Sequence, residues 1–319
     1  MSKNYVGILL LLSKEVRKIS KENKPTRQHH IPQVYLKNFC DRNGWIAVMD
    51  KHENRIFSTG VRVVGAENDF YTLKKLDDPY CWEHAYASGI EPLMGKLFTK
   101  LISQTNILVQ NGATVICPSY KVQLAVIMVV QLLRGKQSRA FEQKLYADYL
   151  PEAIDKAKTL FGPFNNEQNK LLEAFANDDY YFKRTAMDVT QDSERIAKYA
   201  GILCNRAFLI YRIQGNMEFI TSDNPVMFIN SITNSTRPFA NGLIKPTTII
   251  YYPISPKLLL CAIHPLAYFG VLSDQDCHLV DLDACKEIGF ITSVNKKQIS
   301  QCYQHSFARS VAMMKQYQK

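Results

Sequence analysis

Residues 118–150 constrain this chain most. The stretch PSYKVQLAVIMVVQLLRGKQSRAFEQKLYADYL opens on Pro118 and is apolar on nearly every side from Val122 to Leu133. Proline suits the first turn of a helix, where its missing N–H costs no hydrogen bond. A helix with no polar face has to be surrounded by other elements, so this segment predicts the buried axis of a helical bundle. It is too short an apolar run to cross a bilayer, which takes roughly 20 residues.

The flanks set the rest of the architecture. From Trp82 to Ser103, Ile90, Leu93, Met94, Leu97, Phe98 and Leu101 recur at helical spacing, and residues 151–200 read as two more helices with charged faces. Before this helical middle (about 82–200), GWIAVMDKHENRIFST reads as strand, turn, strand, and VRVVGAENDFYTL as a further extended piece. After Arg206, short β-rich runs separated by Gly, Pro and Asn continue to about residue 262. The end, about 276–317, reads as helical, with Ile299, Cys302, Tyr303, Phe307 and Val311 as an inner stripe. Strands, helices, strands, helices is the order of an α+β fold. The expected form is a single integrated body, with mixed sheets of short strands flanking a central helical bundle. A chain of 319 residues has ample length for one such core.

Charge is uneven. The net charge is +10, and residues 1–30 hold seven Lys or Arg against Glu15 and Glu22, which is half the excess. Residues 1–24 therefore read as a basic N-terminal extension ahead of a 25–319 domain, suited to phosphate backbones or an anionic surface, or simply solvated. The run YVGILLLL (5–12) is shorter than a membrane span and no cleavage site follows it, so it reads as a short helix docked on the body. None of the eight cysteines form a C-x-x-C pair, and most lie in apolar runs. They predict buried free thiols in a reducing cytosol. No phosphate-binding glycine loop, dinucleotide fingerprint or G-x-S-x-G elbow occurs, which disfavours those three enzyme classes.

RQHHIPQVYLKNF (27–39) places two histidines before Pro32 and an amphipathic run. Neighbouring side chains in extended chain point to opposite sides, so His29 and His30 are not expected to serve one centre. The pattern of His29, His30, Ile31, Pro32, Tyr35, Leu36, Lys37 and Phe39 resembles the opening signature of the bacterial DUF4238 family. WIAVMDK, AENDFYT (66–72), IEPLMGKL (90–97), ITSDNPV (220–226) and YPISP (252–256) follow in the family's order. The resemblance covers about residues 27–310. It carries no established mechanism, but similar proteins occur in anti-phage defence loci, and the signature favours His29 over His30.

The expected activity is nucleic-acid hydrolysis by a His and acid centre in a cytoplasmic anti-phage effector triggered by a phage component. His29 is the candidate general base, since an imidazole titrates near neutral pH. Glu67 and Asp223 are candidate catalytic carboxylates. His29 and Asp223 are candidate ligands for Mg²⁺ or Mn²⁺, and Asn224, Arg134 and Arg139 are candidates for phosphate. The plainer alternatives are a capped helix start at His29, a turn at TSDNP (221–225) and solvated helix ends at RGKQSR (134–139). His30, Asn43 and His52 also fall in the order of an HNH nuclease, although HENRIFST reads as a strand where that site needs a helix. Glu83 and Glu91, about two turns apart, are further candidates for one shared face. The competing class is a non-enzymatic sensor that binds a phage component or nucleic acid.

Overall fold

The computed structural model describes residues 24–107, 115–176, 179–236, 241–268 and 276–318; the run at 5–12 lies outside them. The first part holds β1 (Arg27–His29), α1 (Gln33–Leu36), β2 (Trp45–Asp50), β3 (Arg55–Gly60) and β4 (Ala66–Asn68). The helical middle holds α2 (Cys81–Ala85), a π-helical turn at Tyr86–Ile90, α3 (Glu91–Ile107), α4 (Pro118–Arg134), α5 (Lys136–Phe161), α6 (Asn166–Ala176), α7 (Asp179–Gln191) and α8 (Ser193–Cys204). The last part holds β5 (Ala207–Gln214), β6 (Thr221–Ser222), β7 (Met227–Asn230), β8 (Thr248–Ser255) and β9 (Leu258–Ile263). It closes with β10 (His278–Asp283), α9 (Ile288–Gln301), β11 (His305–Ala308) and α10 (Val311–Lys315). The fold is α+β.

Three sheets form. The pair β1–β4 is antiparallel, a five-stranded sheet has the order β10-β5-β9-β8-β7, and a four-stranded sheet has the order β3-β2-β11-β6. Only β10 against β5 is parallel in the five-stranded sheet. Both faces of this sheet are covered, so β8 and β9 are buried along their whole length. Alternate side chains go to opposite faces. Ile250, Tyr252, Leu258 and Leu260 face the main core with α4, whereas Ile249, Tyr251, Leu259 and Cys261 face a second core with Ile291 and Val294 of α9. The main core runs continuously from Ile31 to Phe307, so the chain forms one body.

The apolar segment is the bundle axis, with every residue from Leu124 to Gln131 buried. It is not one helix to residue 150. Gly135 takes an extended conformation (ψ 159°), which stops α4 and starts α5 in a new direction. The C-terminal part is also not wholly helical. His278–Asp283 and His305–Ala308 are strands, the latter inserted between β2 and β6. The stripe Cys302, Tyr303 and Phe307 fits helical spacing, but Phe307 takes its buried place by strand alternation. All eight cysteines are free; Cys117 and Cys285 are exposed rather than buried.

Candidate functional site

The break at Gly135 creates the junction where the predicted site residues gather. A side chain at Gly135 would stand 3.7 Å from the Gln131 carbonyl and 3.9 Å from that of Asp223, so the turn is seated between the two. Arg134, Lys136, Gln137 and Arg139 then project from one short stretch. Arg134 Nη2 donates to the His29 carbonyl at 2.6 Å and to Glu91 Oε1 at 3.1 Å. Its guanidinium lies over the Tyr86 ring at 4.1 Å. Lys136 pairs with Glu67, and Asn224 Nδ2 donates to Gln137 Oε1. Arg139 Nη1 donates to the Phe70 carbonyl at 2.5 Å and covers the Phe70 ring at 4.5 Å.

This gathering corrects several expected roles. Asp223 is 1% exposed. Its Oδ1 accepts from the Tyr303 N–H at 2.7 Å, and its Oδ2 from Gln304 and His305 N–H at 2.7 and 2.8 Å. Burial raises its carboxyl pKa while the three N–H groups oppose that. Asp223 therefore ties the turn before β11 and has no oxygen directed at a ligand. Arg134, fully buried, is not a surface phosphate contact. Mg²⁺ or Mn²⁺ on His29 and Asp223 does not fit this arrangement. Among the described residues no three His, Cys, Asp or Glu side chains are grouped to hold a metal ion. The HNH order fails as well, because Arg55–Gly60 after His52 is strand β3 and Asn43 lies in an exposed turn.

The two histidines separate as strand geometry requires. His29 is half-buried and accepts from Gln33 Nε2 at 2.9 Å; burial lowers its pKa, with Glu91 acting the other way. His30 is 2% exposed, and its Nδ1 has no hydrogen-bond partner among the described residues. Burial holds it neutral, reinforced by the charges of Lys136, Arg134, His29 and His305. Gln28 beside them is a clamp, donating to Pro25 O at 2.9 Å and Thr72 Oγ1 at 2.7 Å and accepting from the Tyr71 N–H.

A His and acid pair does exist here, but between residues that sequence reading passed over. His305 Nε2 lies 3.2 Å from Asp50 Oδ2, across the β2–β11 register that sets the two residues opposite each other. Asp50 is buried, and burial works to raise its pKa. The N–H groups of Glu53 and His52, Gln304 and the His305 charge outweigh this and hold it below the usual range. An ionised Asp50 fixes the proton on Nε2 and leaves the lone pair on Nδ1. The His305 side chain is 25% exposed, so solvent and solutes can reach it. His30, Lys136 and Asp223 all lie within reach of its charge or of a shared neighbour. The separation of 255 positions left no local signal for this pair.

A second acidic group surrounds Arg134. Glu83 and Glu91 are eight positions apart with the π turn between them. A π turn holds one extra residue, which leaves about seven α-helical steps, close to two full turns. Both carboxylates therefore face Arg134. Burial raises the Glu83 pKa to about 7, Arg134 opposes the rise and Glu91 adds to it.

A family model described as a protein of unknown function (DUF4238) matches residues 27–311. No curated protein and no solved structure matches the chain.

Proposed function

This chain belongs to the DUF4238 family, and from that premise we propose that it cleaves nucleic acid with His305 as general base. The observation that carries the reading is the His305–Asp50 dyad, an imidazole oriented by a buried carboxylate, its other nitrogen without a partner among the described residues and its side chain partly exposed. In the reaction, Nδ1 takes a proton from an attacking water or 2′-hydroxyl as its oxygen bonds to phosphorus. The ester P–O bond on the leaving side breaks with its electron pair going to the departing oxygen, which takes a proton from solvent, and Asp50 stabilises the imidazolium until it releases its own. General-base help of this kind contributes about 10²–10⁴-fold. The net charge of +10 favours a polyanionic substrate. Asp223, which accepts from the His305 N–H, and Gln304, which donates to Asp50 Oδ2, position the dyad. The reading extends to a cytoplasmic anti-phage effector, with a phage component as trigger.

The test is His305→Gln, which keeps a side-chain amide near Asp50. DNA, RNA and tRNA are incubated with wild type and variant, with and without EDTA. Expected is a wild-type cleavage activity that falls about 100-fold or more in the variant, with the thermal midpoint unchanged. Equal cleavage by the two proteins, or none by wild type on any substrate, overturns the reading. In the second case the sensor class gains, since Asp223 and Arg134 serve the body's own bonds.

A further inference from the structure

On the other face of the β3-β2-β11-β6 sheet lies a groove of about 1350 Å³ between α9, the β2–β3 hairpin and residues 316–318. Met49, Ile288 and Ile299 supply its apolar parts, and Lys51, Lys296 and Lys297 its charge. Among the described residues no Asp or Glu lines it. Among the described residues these three lysines make no ion pair. Lys51 Nζ donates to the carbonyls of Ser300 and Cys302 at 2.7 and 3.1 Å, which pins one cation against the C-terminal end of α9. Lys297 Nζ donates to Ser293 Oγ at 2.5 Å. Partial burial lowers the Lys297 pKa, and no carboxylate acts to restore it.

Three lysine ammonium groups share one concavity that no described carboxylate lines, and like charges so gathered repel one another. Lys51 and Lys296 are exposed and Lys297 is half-buried, so their charge is open to a ligand; most ligand sites pair an apolar lining with a few such polar groups. A phosphate would satisfy the ammonium groups, and an attached flat ring would cover the apolar floor beside Tyr317. Tyr317 is held in place there, its hydroxyl accepting from Asn295 Nδ2 at 2.9 Å. We infer that this groove is a binding site for a nucleoside monophosphate, either free or as the 5′-phosphorylated end of a strand. The assignment is independent of the His305 reading, since Met49, which lines the groove, and Asp50 are successive residues of β2 and direct their side chains to opposite faces.

The full chain is titrated calorimetrically with 5′-AMP, adenosine, inorganic phosphate and a 5′-phosphorylated tetranucleotide. Expected is saturable binding of 5′-AMP, tighter than adenosine or phosphate by about tenfold or more, as one charge-assisted contact warrants. The double variant Lys296→Gln, Lys297→Gln weakens it by a similar factor with an unchanged melting midpoint, and His305→Gln leaves it unaltered. A tetranucleotide that binds more tightly than 5′-AMP identifies the strand end as the source, and equal affinity identifies the free nucleotide; both uphold the site. No binding of 5′-AMP, equal affinity for inorganic phosphate, or full affinity in the lysine variant overturns it.

Discussion

Side chains in this protein take their roles from partners far away in sequence. TSDNP reads locally as a turn, and it is one, yet the Asp223 carboxylate serves N–H groups some 80 positions on. His29 was legible in the opening signature and Glu67 in the later AENDFYT piece, and β1–β4 pairing places them on neighbouring strands. Their chemistry was not legible, because the Lys136 partner and the burial of His30 depend on where Gly135 turns the chain. Glu83 gives the clearest prediction at this scale. Its folded pKa of about 7 exceeds the ordinary glutamate value of 4.5, so between those values the folded state keeps a proton that the unfolded state has released. Stability from this group is therefore full below pH 4.5 and is lost as pH rises through 7. Glu83→Gln removes the effect. From pH 5 to pH 8 the variant gains about 2 kcal/mol relative to wild type in urea denaturation. Parallel stability curves for the two proteins would show that Glu83 ionises as if solvated.

Long, strongly patterned helices were readable as elements, and short strands were not. Pro118 and the apolar run announce α4, while β11 has four residues, HSFA, and takes its place only because β2 and β6 flank it. Nor could the sequence announce the π turn, which needs the packing of Tyr86 and Ile90 to hold it. How closely elements approach is set by small residues such as Gly95. In α3 its added Cβ would lie 2.7 Å from Val34 Cγ2 of α1, inside any normal contact. Valine is stiff at χ1 and cannot swing that methyl away freely. An alanine in a helix ordinarily gains up to about 1 kcal/mol over glycine, but overpacking costs about 1–3 kcal/mol. Gly95→Ala should therefore destabilise by about 1 kcal/mol. Adding Val34→Ala should recover part of that loss, because the clash disappears; simple additivity of the two changes in a double-mutant cycle would refute the close approach.

At the scale of the whole molecule, the signature helix α1 works as a keystone between parts of the chain that are remote in sequence. Tyr35 is fully buried, its hydroxyl 2.6 Å from Thr221 Oγ1 of β6 and donating to the Pro253 carbonyl of β8 at 2.7 Å. Its ring also stands 5.4 Å from Tyr252 and 6.1 Å from Phe98, so one side chain joins both larger sheets and the helical bundle. Sequence order alone predicted the α+β class and one body, but it gave no reason for the cohesion. That reason lies in these long-range contacts. If the N-terminal signature holds the two sheets to the bundle, loosening it should weaken the whole protein together. Tyr35→Phe keeps the ring and removes the hydroxyl, leaving Thr221 Oγ1 and the Pro253 carbonyl short of a partner. It should cost about 1–3 kcal/mol. The denaturation curve should shift as a single transition seen equally by far-ultraviolet circular dichroism and tryptophan fluorescence. Trp45 on β2 and Trp82 on α2 report from the four-stranded sheet and the bundle respectively. A variant whose fluorescence and dichroism transitions separate would show that the sheets and the bundle unfold as independent units.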